Sequence, residues 1–161
     1  MTELSLRVSS NNLMLELLGD RDRHLRDIET AFPDVRFVAR GNELVLSGPE
    51  AEVGTARTAV EELLIIVQEG QPLEPGQVNR VVTMVREEVP SPAGVFTEGI
   101  KVGRGKFVRA KTAGQKAYID AIRDNTLVFG VGPAGTGKTY LAMAAAIEAL
   151  QSGAIRRILL T

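Results

Sequence analysis

The run Gly132-Pro133-Ala134-Gly135-Thr136-Gly137-Lys138-Thr139 constrains this chain more than any other feature. It has the form G-x-x-x-x-G-K-T. A short apolar stretch, Thr126 to Val131, precedes it, and an alanine-rich stretch, Leu141 to Leu150, follows and stops near Gly153. These flanks predict a strand before the run and a helix after it. Between them the glycines let successive backbone N–H groups turn toward one anion, and the helix start adds the positive end of its dipole. A loop of this kind is expected to cradle the phosphates of a purine nucleoside triphosphate, above all ATP, along Gly132, Pro133, Ala134, Gly135, Thr136, Gly137, Lys138 and Thr139. Lys138 would reach the β and γ phosphates, and the Thr139 hydroxyl would complete a Mg2+ shell. The plainer reading is a glycine-rich turn with an exposed lysine, but three glycines give more freedom than a simple turn needs and cost chain entropy on folding.

Two features lie upstream of the loop. Thr112-Ala113-Gly114-Gln115 has the T-x-x-Q form of a helix capping box, so Gln115 can be read as a cap for its own helix. Its amide also carries one acceptor and two donors, which suits the edge of adenine when the phosphates sit at the loop. The second feature is a basic run: Lys101, Arg104, Lys106, Arg109, Lys111 and Lys116 fall in a segment with no acid. Such a run is either a solvated face of the hairpin expected between Gly99 and Arg109, or a surface for a nucleic-acid backbone, with Phe107 as a stacking residue. On the second reading the contacts are Lys101, Arg104, Lys106 and Arg109.

Charge divides the chain in the same way. Residues 1–100 hold 9 Lys and Arg against 17 Asp and Glu, whereas residues 101–161 hold 10 against 3. The two parts are expected to meet different partners. There is no cysteine, so disulfides, thiolate metal sites and cysteine nucleophiles are excluded. A lone histidine, His24, cannot assemble a metal site and is expected at the surface. No run approaches the roughly 18 apolar residues of a membrane span, and no signal-like N-terminus is present, so a cytoplasmic protein without a membrane partner is expected.

The acidic part alternates as a strand over Leu4, Leu6 and Val8, then shows a short apolar stretch from Leu13 to Leu18 ending at Gly19. Leu25, Ile28, Ala31 and Phe32 give a helical stripe that stops at Pro33. A hairpin follows, with Val35 and Phe37 on one arm, Gly41-Asn42 at the turn and Leu44 and Leu46 on the other. Pro49 opens a further helix whose Val53, Ala56, Val60, Leu63, Leu64 and Val67 face a core. The order β-α-α-β-β-α, with Gly19-Asp20-Arg21-Asp22 between the first helices, resembles a KH domain over about the first seventy residues. KH domains grip four nucleotides at a G-x-x-G loop. Asp22 stands in place of the second glycine and Asp20 adds another carboxylate, and both repel phosphate. This domain is therefore expected to pack or dock a protein partner rather than grip RNA. After a breaker-rich linker from Gly70 to Gly76, the valines at 78, 81, 82, 85 and 89 predict a connecting helix, and Pro90 to Gly94 breaks the chain again.

The KH-like front, the T-x-G-Q segment and Gly130 to Ala142, reading G-V-G-P-A-G-T-G-K-T-Y-L-A, together look like a PhoH-family protein. The resemblance implies a cytoplasmic ATPase of RNA metabolism with a core like that of superfamily 1 helicases, sometimes assembled as a homo-oligomeric ring. It implies Gln115 near adenine, Gly132 to Thr139 around the phosphates and Tyr140 close to the base or ribose. The expected fold is thus an α+β KH-like domain over 1–70, a linker and connecting helix over 71–100, and over 101–161 a basic hairpin with the beginning of an α/β P-loop domain on an incomplete parallel sheet. After Lys138 the only acid is Glu148, so no Walker B carboxylate is in view. The sequence reads as a truncated polypeptide, inactive alone, and the resemblance implies further strands that carry the missing acid. Two other functions remain compatible with the loop: a phosphotransferase acting on a small acceptor, and a non-catalytic protein-docking module.

Overall fold

The computed structural model describes residues 1–103 and 105–161. They form a mixed α/β chain with two small antiparallel sheets and two compact units, Met1–Gly94 and Val95–Thr161.

In the first unit, β1 (Thr2–Arg7), β2 (Arg36–Arg40) and β3 (Glu43–Gly48) form a sheet in the order β1-β3-β2. Leu4 lies opposite Leu46 and Leu6 opposite Leu44, so the period-two pattern sets the register. Gly41, at φ +61°, makes the hairpin turn between β2 and β3. Helix α1 (Asn11–Leu18) is capped by Ser10, whose hydroxyl accepts from the Leu13 N–H, and it stops at Gly19. After a single 3-10 turn over Asp20–Asp22 comes α2 (Arg23–Ala31). Helix α3 (Glu50–Gln68) begins directly after Pro49 and buries Val53, Ala56, Val60, Leu63 and Val67 of the face that its spacing predicts, with Leu64 only half-buried. The order β-α-α-β-β-α is the one expected from the sequence.

Helix α4 (Gln77–Arg86), expected as a connector, instead packs against α2 and α3 and belongs to the first unit. Arg86 fixes it there: its Nη2 donates to the Ala31 carbonyl at 2.9 Å and its guanidinium lies 5.1 Å over the Phe32 ring. His24 also departs from expectation. It is 5% exposed rather than at the surface, because Gly19 leaves space for its ring. A Cβ added at Gly19 would stand 2.3 Å from His24 Cδ2. A short helix, α5 (Pro92–Thr97), occupies the segment read as a plain break, with proline at its first position.

In the second unit, β4 (Gly99–Gly103) and β5 (Lys106–Arg109) form the expected hairpin. Helix α6 (Ala113–Asp124) is capped by Thr112, and α7 (Lys138–Gln151) follows the glycine loop. The expected parallel sheet is not found. Residues 126–131 have no strand partner among the described residues, and neither they nor residues 155–161 take up strand structure. An extended segment becomes a strand only when a neighbour takes its N–H and C=O groups. Leu127, Phe129 and Val131 stand exposed at 73%, 81% and 95%. No helix among the described residues is long and apolar enough to cross a membrane.

Candidate nucleotide-binding site

Residues 130–137 form an irregular loop that runs straight into α7. Gly135 and Gly137 adopt φ of +77° and +84°, the left-handed region that a side chain disfavours. Gly137 is the N-cap of α7, and no side chain caps it. The first-turn N–H groups of an α-helix have no partner within the helix, so this end of α7 is suited to an anion.

Lys138, the first residue of α7, folds back across the loop. Its Nζ donates to the Gly132 carbonyl at 2.9 Å, the Pro133 carbonyl at 2.6 Å and Thr136 Oγ1 at 3.2 Å. Thr136 Oγ1 in turn donates to the Pro133 carbonyl at 3.0 Å. Gln115 bridges two elements. Its Oε1 accepts from the Lys111 N–H at 2.6 Å, and its Nε2 donates to the Thr136 carbonyl at 3.1 Å. One half of the capping box is present, with Thr112 Oγ1 accepting from the Gln115 N–H at 3.2 Å. The Gln115 side chain therefore joins the start of α6 to the glycine loop, a link that neither reading of the sequence contained.

A cleft of about 470 Å³ opens beside the loop. Gln115, Gly132, Pro133, Thr136 and Lys138 line it, joined by Tyr118, Phe129 and Leu141. Ala134, Gly135 and Gly137 complete the loop outside this lining, and Thr139 and Tyr140 are exposed. Tyr118 was missed from the sequence. It lies three residues after Gln115 on α6, the spacing that puts both on one face, and its ring approaches the loop so closely that a Cβ on Gly130 would lie 3.1 Å from it. A second cleft of about 600 Å³ lies near the other end of α7, lined by Lys101, Gly103, Glu148, Gln151 and Ser152. It holds neither a glycine loop nor a helix start.

For Mg2+, the described residues contain no group of three or more His, Asp or Glu side chains placed to hold a metal ion. The Thr139 hydroxyl could fill one place, with phosphate oxygens and water supplying the rest, as suits a cation that keeps several waters.

The basic hairpin is narrower than its sequence run. Lys101, Lys106, Arg109 and Lys111 are exposed, and Arg104 lies outside the described residues. Lys116 is drawn inward, bonding Asp120 at 2.7 Å and Glu98 at 2.8 Å. Burial acts against its charge, but the bonds and charges of Asp120 and Glu98 outweigh that and raise its pKa above the ordinary lysine value. Phe107 is about half exposed, and the Arg109 guanidinium lies 5.4 Å over its ring.

Comparison with known proteins places this arrangement. Residues 107–161 match the family described as PhoH-like protein. A PhoH-like protein of Mycobacterium leprae is 50% identical over 93% of this chain and 43% of its own length. One from Bacillus subtilis is 36% identical over 91% of this chain and 46% of its own length, and one from Synechocystis is 34% identical over 78% and 39%. The chain thus spans less than half the length of these relatives. No solved structure matches it significantly. Residues 107–161 thus carry the pattern of the PhoH-like protein family, and the chain is similar to PhoH-like proteins along nearly all of its length.

Proposed function

We propose that residues 132–139 bind the triphosphate of ATP with Mg2+, and that the whole protein is an RNA-associated ATPase, with RNA unwinding as one use of that activity. The supporting observation is the loop itself: two left-handed glycines lead into an uncapped helix start, with the Lys138 ammonium lying across the loop. Phosphate oxygens would replace the Gly132 and Pro133 carbonyls as acceptors for Lys138, exchanging neutral acceptors for ionised ones and adding ion-pair attraction to the ammonium's hydrogen bonds. Gln115, with Tyr118 beside it in the cleft, would meet the base. In hydrolysis the protein positions water against the γ-phosphate and stabilises the charge that develops, to which Lys138 contributes.

The exposed cations of β4 and β5, with Phe107 among them, are the surface for an RNA backbone in this reading. The first unit is read as a KH-like domain that docks protein, because Asp20 and Asp22 oppose phosphate at its turn. The test is phosphate release from ATP by the full-length protein, with and without RNA, beside Lys138→Ala. RNA should raise the rate, no phosphorylated acceptor should form, and the variant should lose activity by a factor of about a hundred or more. A variant as active as its parent would remove Lys138 from the site.

A further inference from the structure

Strand β4 pairs with β5 along one edge only. Three backbone groups of β4 are taken by side chains of the two helices. Arg123 Nη2 of α6 donates to the Gly99 carbonyl at 3.2 Å, Glu148 Oε1 of α7 accepts from the Lys101 N–H at 2.9 Å, and Gln151 Nε2 of α7 donates to the Val102 carbonyl at 3.3 Å. Glu148 and Arg123 also pair with each other at 3.2 Å. An exposed ion pair by itself contributes little. Here its members hold backbone atoms of a strand edge, so their effect is on position.

The far arm of the hairpin is tied to the same body. Just past β5, the Lys111 N–H reaches Gln115, and Gln115 reaches Thr136 in the glycine loop. The hairpin is thus strapped at two points to one continuous piece, the glycine loop and the helix that begins with Lys138. Along that helix Lys138 and Glu148 are about 15 Å apart.

We propose that Glu148 is a positioning residue that holds the basic hairpin on the helix behind the phosphate loop, so that a nucleotide at the loop and single-stranded RNA on the hairpin alter each other's affinity. The inference rests on the nucleotide reading above. A triphosphate that draws Lys138 off the Gly132 and Pro133 carbonyls changes the loop at Thr136 and with it the Gln115 tie. With β4 anchored at Glu148 the hairpin is held to α7 at one arm and to the loop at the other; without that anchor the Lys101 N–H loses its tie to α7, and the change at the loop is not passed on.

The test measures binding of a labelled single-stranded oligouridylate to this chain by fluorescence anisotropy at fixed ionic strength, with and without saturating ATP and Mg2+. In the parent, nucleotide should change the RNA dissociation constant by about fivefold or more. Glu148→Ala should bind each ligand alone within about twofold of the parent, yet show less than about a twofold effect of one on the other. Glu148→Gln, whose amide oxygen still accepts from Lys101, should keep most of the parent's coupling. Full coupling in Glu148→Ala overturns the proposal. So does a parent that binds both ligands independently, which would leave the nucleotide reading intact, whereas a parent that binds no nucleotide defeats both. A measurement that needs no variant is hydrogen exchange at the Lys101 amide, which should slow severalfold when ATP and Mg2+ are added; an unchanged rate likewise overturns the proposal.

Discussion

Lys138 directs its ammonium at three oxygens of its own loop, so the group expected to meet phosphate is already gathered over the place where phosphate would sit. Gly135 and Gly137 permit this, since their backbone is left-handed and a side chain at either would add about 1–2 kcal/mol of steric cost to it. The turn after α1 uses that conformation without glycine: Arg21 and Asp22 have φ of +51° and +58°. Asp22 therefore holds the conformation that a second glycine would take freely, and aspartate tolerates it better than most residues. His24, packed on Gly19 beside this turn, has its pKa lowered, first by burial and then by the charge of Arg23, with Asp27 opposing. In the unfolded chain it takes up a proton near pH 6.5, whereas the folded unit resists protonation. Its contribution to stability is therefore complete above about pH 6.5 and is lost as the pH falls through the lower folded value. Urea midpoints should drop between about pH 7 and pH 5.5 in the parent, and His24→Gln should lack that part of the slope. Identical pH profiles would contradict a buried, neutral His24.

Among the elements, Arg86 at the end of α4 tests whether that helix belongs to the first unit. Replacing it with alanine removes the bond to the Ala31 carbonyl and the contact over Phe32, and should destabilise the unit by about 1–2 kcal/mol, seen as a lower urea midpoint with an unchanged slope. An unchanged midpoint would return α4 to the status of a tether. Periodicity reads α2, α3 and the hairpin of β2 and β3 from the sequence, because each carries its apolar pattern within one local stretch. It failed at Thr126 to Val131, where an apolar run predicts a strand but pairing depends on another segment. The site divides in the same way. Glycine spacing marks the loop, while the bridge from Lys111 through Gln115 to Thr136 joins residues up to 25 positions apart, and Lys116 falls in the basic run although its partners Glu98 and Asp120 lie just outside it. His24 was misplaced for the same reason, since its burial depends on the space that Gly19 leaves.

At the scale of the whole molecule, an acidic unit and a basic one share a chain, and the basic one carries the glycine loop. Beside that loop Leu127, Phe129 and Val131 are exposed, as are Leu159 and Leu160, in a chain that spans less than half the length of its relatives. Triphosphate binding is the property of this chain on which the proposed function depends. The direct measurement is a nuclear magnetic resonance titration of the backbone amides with ATP and Mg2+, repeated with inorganic tripolyphosphate as competitor. The account predicts that the amides of Gly135, Gly137, Lys138 and Thr139 shift together and saturably, that tripolyphosphate reproduces these shifts, and that Lys138→Ala weakens them by about tenfold or more in affinity. Amides in the loop that stay unmoved while nucleotide is in excess, or shifts that persist undiminished in Lys138→Ala, would contradict it.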